Sequence, residues 1–461
     1  MLTSTEEIKA RLNVVDVVSS SIRLHKAGAN FKALCPFHTE KTPSFIVSPA
    51  RQTWHCFGCN QGGDIFSFVM KMEGVEFYDA LTSLAKKAGV EIRPQDRLTS
   101  TLRSKVVAIT DQAAKFYEAE LTKEPLVRKY LETERGIKLE TIKDFRIGYA
   151  PNDWRMLLDH LVNIGFKTED IERAGLIIRK SQVAGRNISG DSRLAISDKQ
   201  YYDRFRGRIM FPIFDAQGQV IGFGGRIFQV TSDQEQVTKD NQVGELQNVA
   251  KYINTPETIA YSKSKVLYGL DRAKEDIRKT GVVVLVEGYT DVILSHQAGV
   301  KNVVAVSGTA LSEAHLRRLR FLAETLLLSF DMDDAGFEAA RRVVELATPF
   351  GFAVKVLALP SGQDPADVAQ RSYEEWHKTL ESSKHVVDFF LGSFAAILAP
   401  DTIESKRKVR EKILPLIAPL PSAMERAHWV SRVADLLAIP ENSVWQDLQK
   451  VKIPEEIGQK S

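Results

Sequence analysis

The stretch Gly281-Val-Val-Val-Leu-Val286-Glu287-Gly288-Tyr289-Thr290-Asp291 decides the fold, together with Asn302-Val-Val-Ala-Val306 and Thr325-Leu-Leu-Leu-Ser-Phe330-Asp331-Met332-Asp333. Each begins as a short run rich in Val and Leu, and helix-length amphipathic segments separate them. That alternation predicts buried strands of a parallel α/β sheet with helices on its faces. Such sheets place ligand sites beyond the carboxyl ends of their strands, where Glu287 and Asp331 fall. Asp331 and Asp333 share a face if the chain stays extended there. A further strand, Val354-Lys-Val-Leu-Ala-Leu359, leads to Asp364, which can join the same edge. A single loop carboxylate ordinarily just faces solvent. Several on one edge repel each other unless a cation sits between them, and oxygen-only ligands suit Mg²⁺ or Mn²⁺.

A chain of 461 residues is expected to divide into about three domains of roughly 150 residues each. Its 62 basic and 59 acidic residues nearly cancel, so a polyanion-binding surface has to come from local clusters. The first residues lack the basic and apolar regions of a signal peptide. No apolar run approaches the roughly 20 residues that span a bilayer. A cytoplasmic location with no membrane partner is expected.

The three cysteines are Cys35, Cys56 and Cys59. They fall in Cys35-Pro-Phe-His38 and Cys56-Phe-Gly-Cys59, with 17 residues between the pairs. Two ligand pairs on tight knuckles close a tetrahedral N/S shell, as one structural Zn²⁺ requires. A redox Cys-x-x-Cys beside an unrelated histidine fits the spacing less well. Lys32, Lys41, Arg51 and His55 interleave with Phe45, Trp54 and Phe57, opposed only by Glu40. Cations and ring faces together suit a single nucleic-acid strand, although so small a domain must also spend some rings on its core.

Residues 1–93 therefore read as a zinc-binding domain. The polar, proline-containing segment 94–103 reads as a linker, 104–270 as a basic subdomain, 271–372 as the parallel-sheet domain, 373–452 as a helical subdomain and 453–461 as a tail. Ser181 to Gln200 and Thr231 to Gln247 are polar and aperiodic, so loops are expected there. Within the basic subdomain, Tyr202 to Phe214 and Val220 to Phe228 flank the turn Asp215-Ala-Gln-Gly218, a β-hairpin pattern. Arg204, Arg206 and Arg208 alternate at period two and would project from one strand face. Gly222, Gly224 and Gly225 leave the backbone open to close approach. Arg226, Lys251 and Lys263 bring further cations toward the first strand of the parallel sheet. For any one of these residues, a solvated surface charge is the ordinary role. Neither a GxGxxG turn into a helix nor a GxxxxGK[ST] loop occurs, which argues against a dinucleotide site or a P-loop ATPase.

The motifs, in this order, resemble those of bacterial DnaG-type replicative primases over nearly the whole chain. Cys35 to Cys59 resembles their zinc-binding domain, Arg204 to Arg226 their basic motif, and Lys251-Tyr-Ile-Asn-Thr-Pro-Glu257 the block leading into the catalytic fold. Glu287-Gly-Tyr-Thr-Asp291 with Asp331-x-Asp333 matches the Toprim signature. The resemblance implies an α+β multidomain protein. It would have an N-terminal zinc ribbon, a central mixed α/β domain with a basic subdomain and a Toprim core (a Rossmann-like parallel sheet), and a C-terminal helical subdomain.

It also implies a DNA-dependent RNA polymerase that makes short RNA primers on single-stranded DNA from ribonucleoside triphosphates, leaving an RNA–DNA hybrid, in the bacterial replisome. Glu287, Asp331 and Asp333 would be catalytic, and with Asp364 would hold two or more Mg²⁺ or Mn²⁺ ions. Arg204, Arg206, Arg208, Arg226, Lys251, Lys263, Trp54, Lys41 and Arg51 would meet nucleotide or nucleic acid. Two departures stand out. The family commonly has Asp-Gly-Asp at Asp331-Met332-Asp333. It often has Asp-Pro-Asp where this chain has Asp364-Pro365-Ala366, with Asp367 one residue later. The family's helicase contact lies in a further C-terminal domain whose counterpart this sequence does not display. A Toprim-type nuclease and a non-catalytic, zinc-dependent single-strand binding protein are the alternatives.

Overall fold

The computed structural model describes residues 4–451 apart from 39, 41, 74, 76, 93, 181–199, 229–249, 307, 309, 330–333, 358, 360–362 and 398–401. Lys41, Asp331, Asp333, the tail and nearly all of the two polar stretches read as loops therefore lie outside the described residues.

Five short strands build the N-terminal module: β1 (His25–Ala27), β2 (Asn30–Ala33), β3 (Phe45–Ser48), β4 (Thr53–Cys56) and β5 (Gly62–Gly63). They form an antiparallel sheet in sequence order. Alternation sorts their side chains. Phe45, Val47 and Trp54 point inward and are buried against Phe37 and Phe68, with the Phe45 and Trp54 rings stacked 5.1 Å apart. His25, Lys32, Ile46 and His55 stand opposite one another across four strands, on the other face.

The segment expected as a linker is helical instead: one helix runs from Pro94 to Lys123. Proline suits the first helical turn because its fixed φ matches the helix and its missing N–H has no partner to lose there. A polar stretch without apolar period shows that no face needs burying, which is different from showing that no helix forms. The helix then packs on the basic subdomain, where Thr110 Oγ1 donates to the Val220 carbonyl.

That subdomain holds β6 (Gly148–Ala150), β7 (Ile177–Arg179), β8 (Tyr201–Asp203), β9 (Arg208–Phe214), β10 (Val220–Ile227) and β11 (Tyr252–Asn254). Its main sheet has the order β11-β10-β9-β6, and β7 pairs with β8. The expected hairpin is present as β9 and β10, with Phe214 facing Val220 beside the turn. Every residue of β9 is buried, as is nearly all of β10, so both faces of this sheet are covered.

The parallel sheet comprises β12 (Val282–Val286), β13 (Val303–Ala305), β14 (Thr325–Leu328) and β15 (Ala353–Val356), in the order β13-β12-β14-β15. The pairs β12–β13, β12–β14 and β14–β15 are all parallel, as expected. A two-residue strand, β16 (Lys384–His385), adds an antiparallel edge from a region whose sequence reads as wholly helical. Successive side chains go to opposite cores. Val283, Leu285, Leu326 and Leu328 join the terminal helices, including Leu416, Trp429 and Val433. Val284, Val286 and Leu327 join the basic subdomain, including Phe211, Ile213 and Tyr130. The sheet is thus the shared wall between two hydrophobic cores, and no described helix is long and apolar enough to cross a membrane.

Candidate active site and zinc centre

Strand β12 ends at Val286, and Glu287 follows it as an exposed side chain at the carboxyl edge. Gly288 then caps the helix Tyr289–Gln297, with Asp291 Oδ2 accepting from its backbone N–H at 2.9 Å. Asp291 is buried, and its carboxyl is pushed up to about 6, first by that burial and then by the charges of Asp364, Glu287 and Asp367. Asp364 caps the helix Pro365–Arg371. Its Oδ1 accepts from the Asp367 N–H at 2.8 Å, and Asp367 Oδ2 accepts in return from the Asp364 N–H at 3.2 Å. Burial raises the Asp364 carboxyl as well, and Asp367 adds to the effect. Four carboxylates so disposed disfavour one another's charge, and an oxygen-ligated cation relieves that repulsion. The donor set fits Mg²⁺ or Mn²⁺.

A cavity of 420 Å³ opens here, lined on one side by Glu287, Asp291, Ser329 and Asp364 and on the other by Arg135, Lys251, Tyr252 and Asn254. The second wall comes from the basic subdomain. Gly224 on β10 lies opposite Asn254 on β11, and a Cβ on Gly224 would come within 2.4 Å of the Tyr289 ring. With only hydrogen at that position, Tyr289 stacks on Phe211 at 5.3 Å and its hydroxyl donates to Asn254 Oδ1 at 2.8 Å. One glycine therefore sets how closely the cationic wall approaches the acidic one.

Behind that wall, Tyr130 begins a π-helical turn, Tyr130–Glu134, ahead of Arg135. Its hydroxyl accepts from Arg135 Nε at 2.7 Å and also from the Arg226 guanidinium. Both guanidinium groups lie over its ring, at 5.5 and 5.3 Å. Arg208 donates to the carbonyls of Gly225, Ala250 and Lys251 at 3.0, 3.1 and 3.3 Å. Burial, followed by the charge of Arg206, lowers its pKa to about 10.

The expected three-arginine stripe does not form. The chain bends between β8 and β9, which takes Arg204 and Arg206 off any strand, and Arg208 and Arg226 are buried. Arg204 Nε is spent on the Gly175 carbonyl at 2.8 Å. Period-two spacing projects side chains from one face only along an extended chain, and Gly207, with φ 55°, interrupts it. Arg206 instead lies 4.2 Å over Trp154 and 5.1 Å over Tyr202, and Trp154 is 60% exposed. Lys263 sits on the segment after β11, its backbone N–H donating to Glu257 Oε1 at 2.8 Å, and is not among the residues lining the cavity.

In the zinc module, one ligand atom from each of Cys35, His38, Cys56 and Cys59 lies within 4.8 Å of the others. Burial pushes the Cys35 thiol up, and the neighbouring sulfurs add to the effect. Thiols this close and this buried call for a cation to carry their charge, and the N/S donor set is that of zinc. A Cβ on Gly58 would meet His38 Nε2 at 2.5 Å, so the second knuckle admits only glycine there.

Trp54, expected to touch nucleic acid, is 1% exposed, and its Nε1 donates to the Asp64 carbonyl at 3.0 Å. It belongs to the core, because the inward face of so small a sheet needs its largest ring. The exposed ring is Phe57, 73% accessible and set edge-on to His55 at 4.7 Å, and Arg51 is exposed in the same module. Asp291, Arg135 and Ser329 also line the cavity. Asp291 closes the Glu287 to Asp291 motif, whereas nothing in the local pattern marks the other two.

Three family descriptions match in series. They are the CHC2 zinc finger over residues 2–100, the DNA primase catalytic core N-terminal domain over 116–190 and 180–274, and a Toprim-like domain over 284–369. The DNA primase of Pseudomonas aeruginosa is 34% identical over 455 residues, covering 96% of this chain and 64% of that protein. That of Clostridium acetobutylicum is 32% identical over 456 residues, covering 96% of this chain and 70% of that protein. Among solved structures, the zinc-binding and RNA polymerase domains of Aquifex aeolicus primase match with a TM-score of 0.58 at 28% identity, over 98% of this chain and 100% of that one. The DnaG primase catalytic domain bound to single-stranded DNA matches with a TM-score of 0.57 at 28% identity, over 75% of this chain and 99% of that one.

Proposed function

The chain belongs to the DnaG-type DNA primase family, and from that premise we propose that it synthesises short RNA primers on single-stranded DNA from ribonucleoside triphosphates. The observation that carries this reading is the two-sided cavity, with carboxylates from two helix N-termini facing cations on the basic subdomain. Primer synthesis needs both walls. A 3′-hydroxyl must attack an α-phosphorus while pyrophosphate leaves, so the site has to hold a triphosphate and offset the charge that develops on it. Divalent cations held at this edge would lower the pKa of the attacking hydroxyl and offset the charge of the leaving pyrophosphate. Glu287, Asp291 and Asp364 are the described residues suited to hold them, and the sequence motif adds Asp331 and Asp333, which lie outside the described residues. Glu287, exposed just past the end of β12, also suits a proton acceptor.

Across the cavity, Arg135 and Lys251 grip the phosphates, whose dense negative charge favours guanidinium and ammonium donors. Arg226 and Arg208 act one step back: Arg226 shares the Tyr130 hydroxyl with Arg135, and Arg208 fixes the backbone of Lys251. The template single strand would pass the exposed Trp154–Arg206 stack, where bases meet a ring and phosphates a cation. On the zinc module it would meet Lys32, His25, His55, Phe57 and Arg51. Arg204 and Lys263 do not line the cavity and have no direct part in holding the triphosphate, and Lys41 lies outside the described residues. The product is an RNA–DNA hybrid, and a replicative helicase is the partner that the family's role at the fork implies.

One assay tests the reading: single-stranded DNA, labelled ribonucleoside triphosphates and Mg²⁺, with products sized on a gel. New short RNA is the expected result. Shortened DNA would indicate a nuclease, and neither product a binding module.

A further inference from the structure

We propose that Glu40 is the positioning residue of the zinc centre, a single carboxylate that ties the two ligand pairs to each other through His38 and Ser44. The inference rests on the zinc reading of the tetrad. Glu40 is set in the loop between the two ligand pairs with its side chain only 10% exposed. A carboxylate so enclosed must find donors for its oxygens. Those the structure shows all belong to the first knuckle and the residue that bridges to the second. Oε1 accepts from the Cys35 N–H at 2.7 Å and from the Ser44 N–H at 3.1 Å. Oε2 accepts from the Ser44 hydroxyl and lies 3.3 Å from His38 Nε2.

His38 presents its other ring nitrogen, Nδ1, to Cys56 Sγ at 3.8 Å, on the side of the tetrad. That is the arrangement a metal-bound imidazole needs: one nitrogen toward the ion, and the opposite N–H donated to a carboxylate that fixes the tautomer and ring plane. Ser44 carries the link onward. Its hydroxyl oxygen lies 3.1 Å from Cys56 Sγ and accepts from the Gly58 N–H at 3.2 Å. Its carbonyl accepts from the Phe57 N–H at 3.1 Å. Glu40 thus orients the histidine ligand directly and, through Ser44, holds the knuckle that presents Phe57 at the surface. Its negative charge, which opposes the cations of this module in the sequence, is turned inward to the metal and away from the nucleic-acid face.

The test is zinc retention by the full chain against a chromophoric chelator. Glu40→Gln should weaken zinc binding by about ten- to a hundredfold, with Glu40→Ala at least as weak. The melting of the rest of the chain should not move. His38→Cys supplies the control, because it keeps four ligands but removes the imidazole. In that background Glu40→Gln should cost clearly less. Wild-type zinc retention in both Glu40 variants overturns the proposal, as does an equal loss with and without His38. Wild-type protein that carries no zinc would instead overturn the zinc reading itself, a distinguishable result.

Discussion

The zinc centre and the acidic cavity each gather groups that repel one another, and they do so in opposite ways. The tetrad closes between residues only 24 positions apart, on knuckles whose spacing alone brings the ligands together. One ligand atom from each of its four residues lies within 4.8 Å of the others, enough to complete a tetrahedral shell. The cavity draws on the segments that follow all four parallel strands and on the starts of two helices, and it faces cations from a different subdomain. A closed shell stabilises a fold, whereas an open one leaves room for a substrate. The same contrast explains why one centre is legible from spacing and the other only from topology.

The largest effect that would break the contrast is loss of chemistry without loss of fold. Asp291→Asn or Asp331→Asn should abolish primer synthesis while zinc content and circular dichroism stay as in the wild type. Near-normal synthesis by either variant removes that residue from the site. Next comes the reverse experiment. Cys59→Ser should release zinc, whose binding to small modules is worth about 10–16 kcal/mol at neutral pH. The core around Trp54 should loosen in consequence. Triphosphate binding at the cavity, followed by equilibrium titration, should persist. Parallel loss of both would show that the two centres are not independent.

A pH series sharpens the comparison at the wall between subdomains. Burial lowers the pKa of His296 to about 4, and its Nε2 lies 3.0 Å from the Val303 carbonyl. A histidine pKa depressed on folding means that the unfolded chain binds more protons below about 6.5. Stability is therefore full above that pH and falls as pH drops toward 4. His296→Asn should flatten this slope in denaturant melts between pH 7 and 5, and an unchanged slope assigns it to other groups.

The smallest expected effect concerns Ser329, buried at the cavity floor with its hydroxyl lacking a hydrogen-bond partner among the described residues. If that hydroxyl serves the bound nucleotide, Ser329→Ala should raise KM by about two- to tenfold, the worth of one hydrogen bond. Thermal stability should not fall. Lower stability with an unchanged KM would make Ser329 a packing residue only.

The sequence carries much of this fold in its local pattern. The Val- and Leu-rich runs ending in Glu287 and leading to Asp364 predict parallel strands with a common carboxyl edge, and β12, β14 and β15 supply it. The hairpin around Asp215 to Gly218 and the Cys–His tetrad are as their spacing requires. The failures share a cause. Arg204, Arg206 and Arg208 were assigned to one strand face because period two was extrapolated across a bend. Trp54 reads as a nucleic-acid contact because an aromatic among cations looks the same in sequence whether it points in or out, and here it points in. Residues 94–103 read as a linker because a helix with no apolar stripe leaves no periodic trace.

Local chemistry is what the sequence determined by itself: metal-ligand spacing, strand-length apolar runs, the hairpin turn at Asp215 to Gly218, and the lack of P-loop and dinucleotide motifs. These depend on neighbours a few positions away, so their signal survives in one dimension. Tertiary structure alone decided which cations face the carboxylates. Arg135 reaches the cavity because Tyr130 holds it, and Lys251 because β11 pairs with a glycine-bearing strand that Tyr289 can approach. Those relations join segments far apart in the chain and depend on packing distances of an ångström or two, which no local pattern encodes.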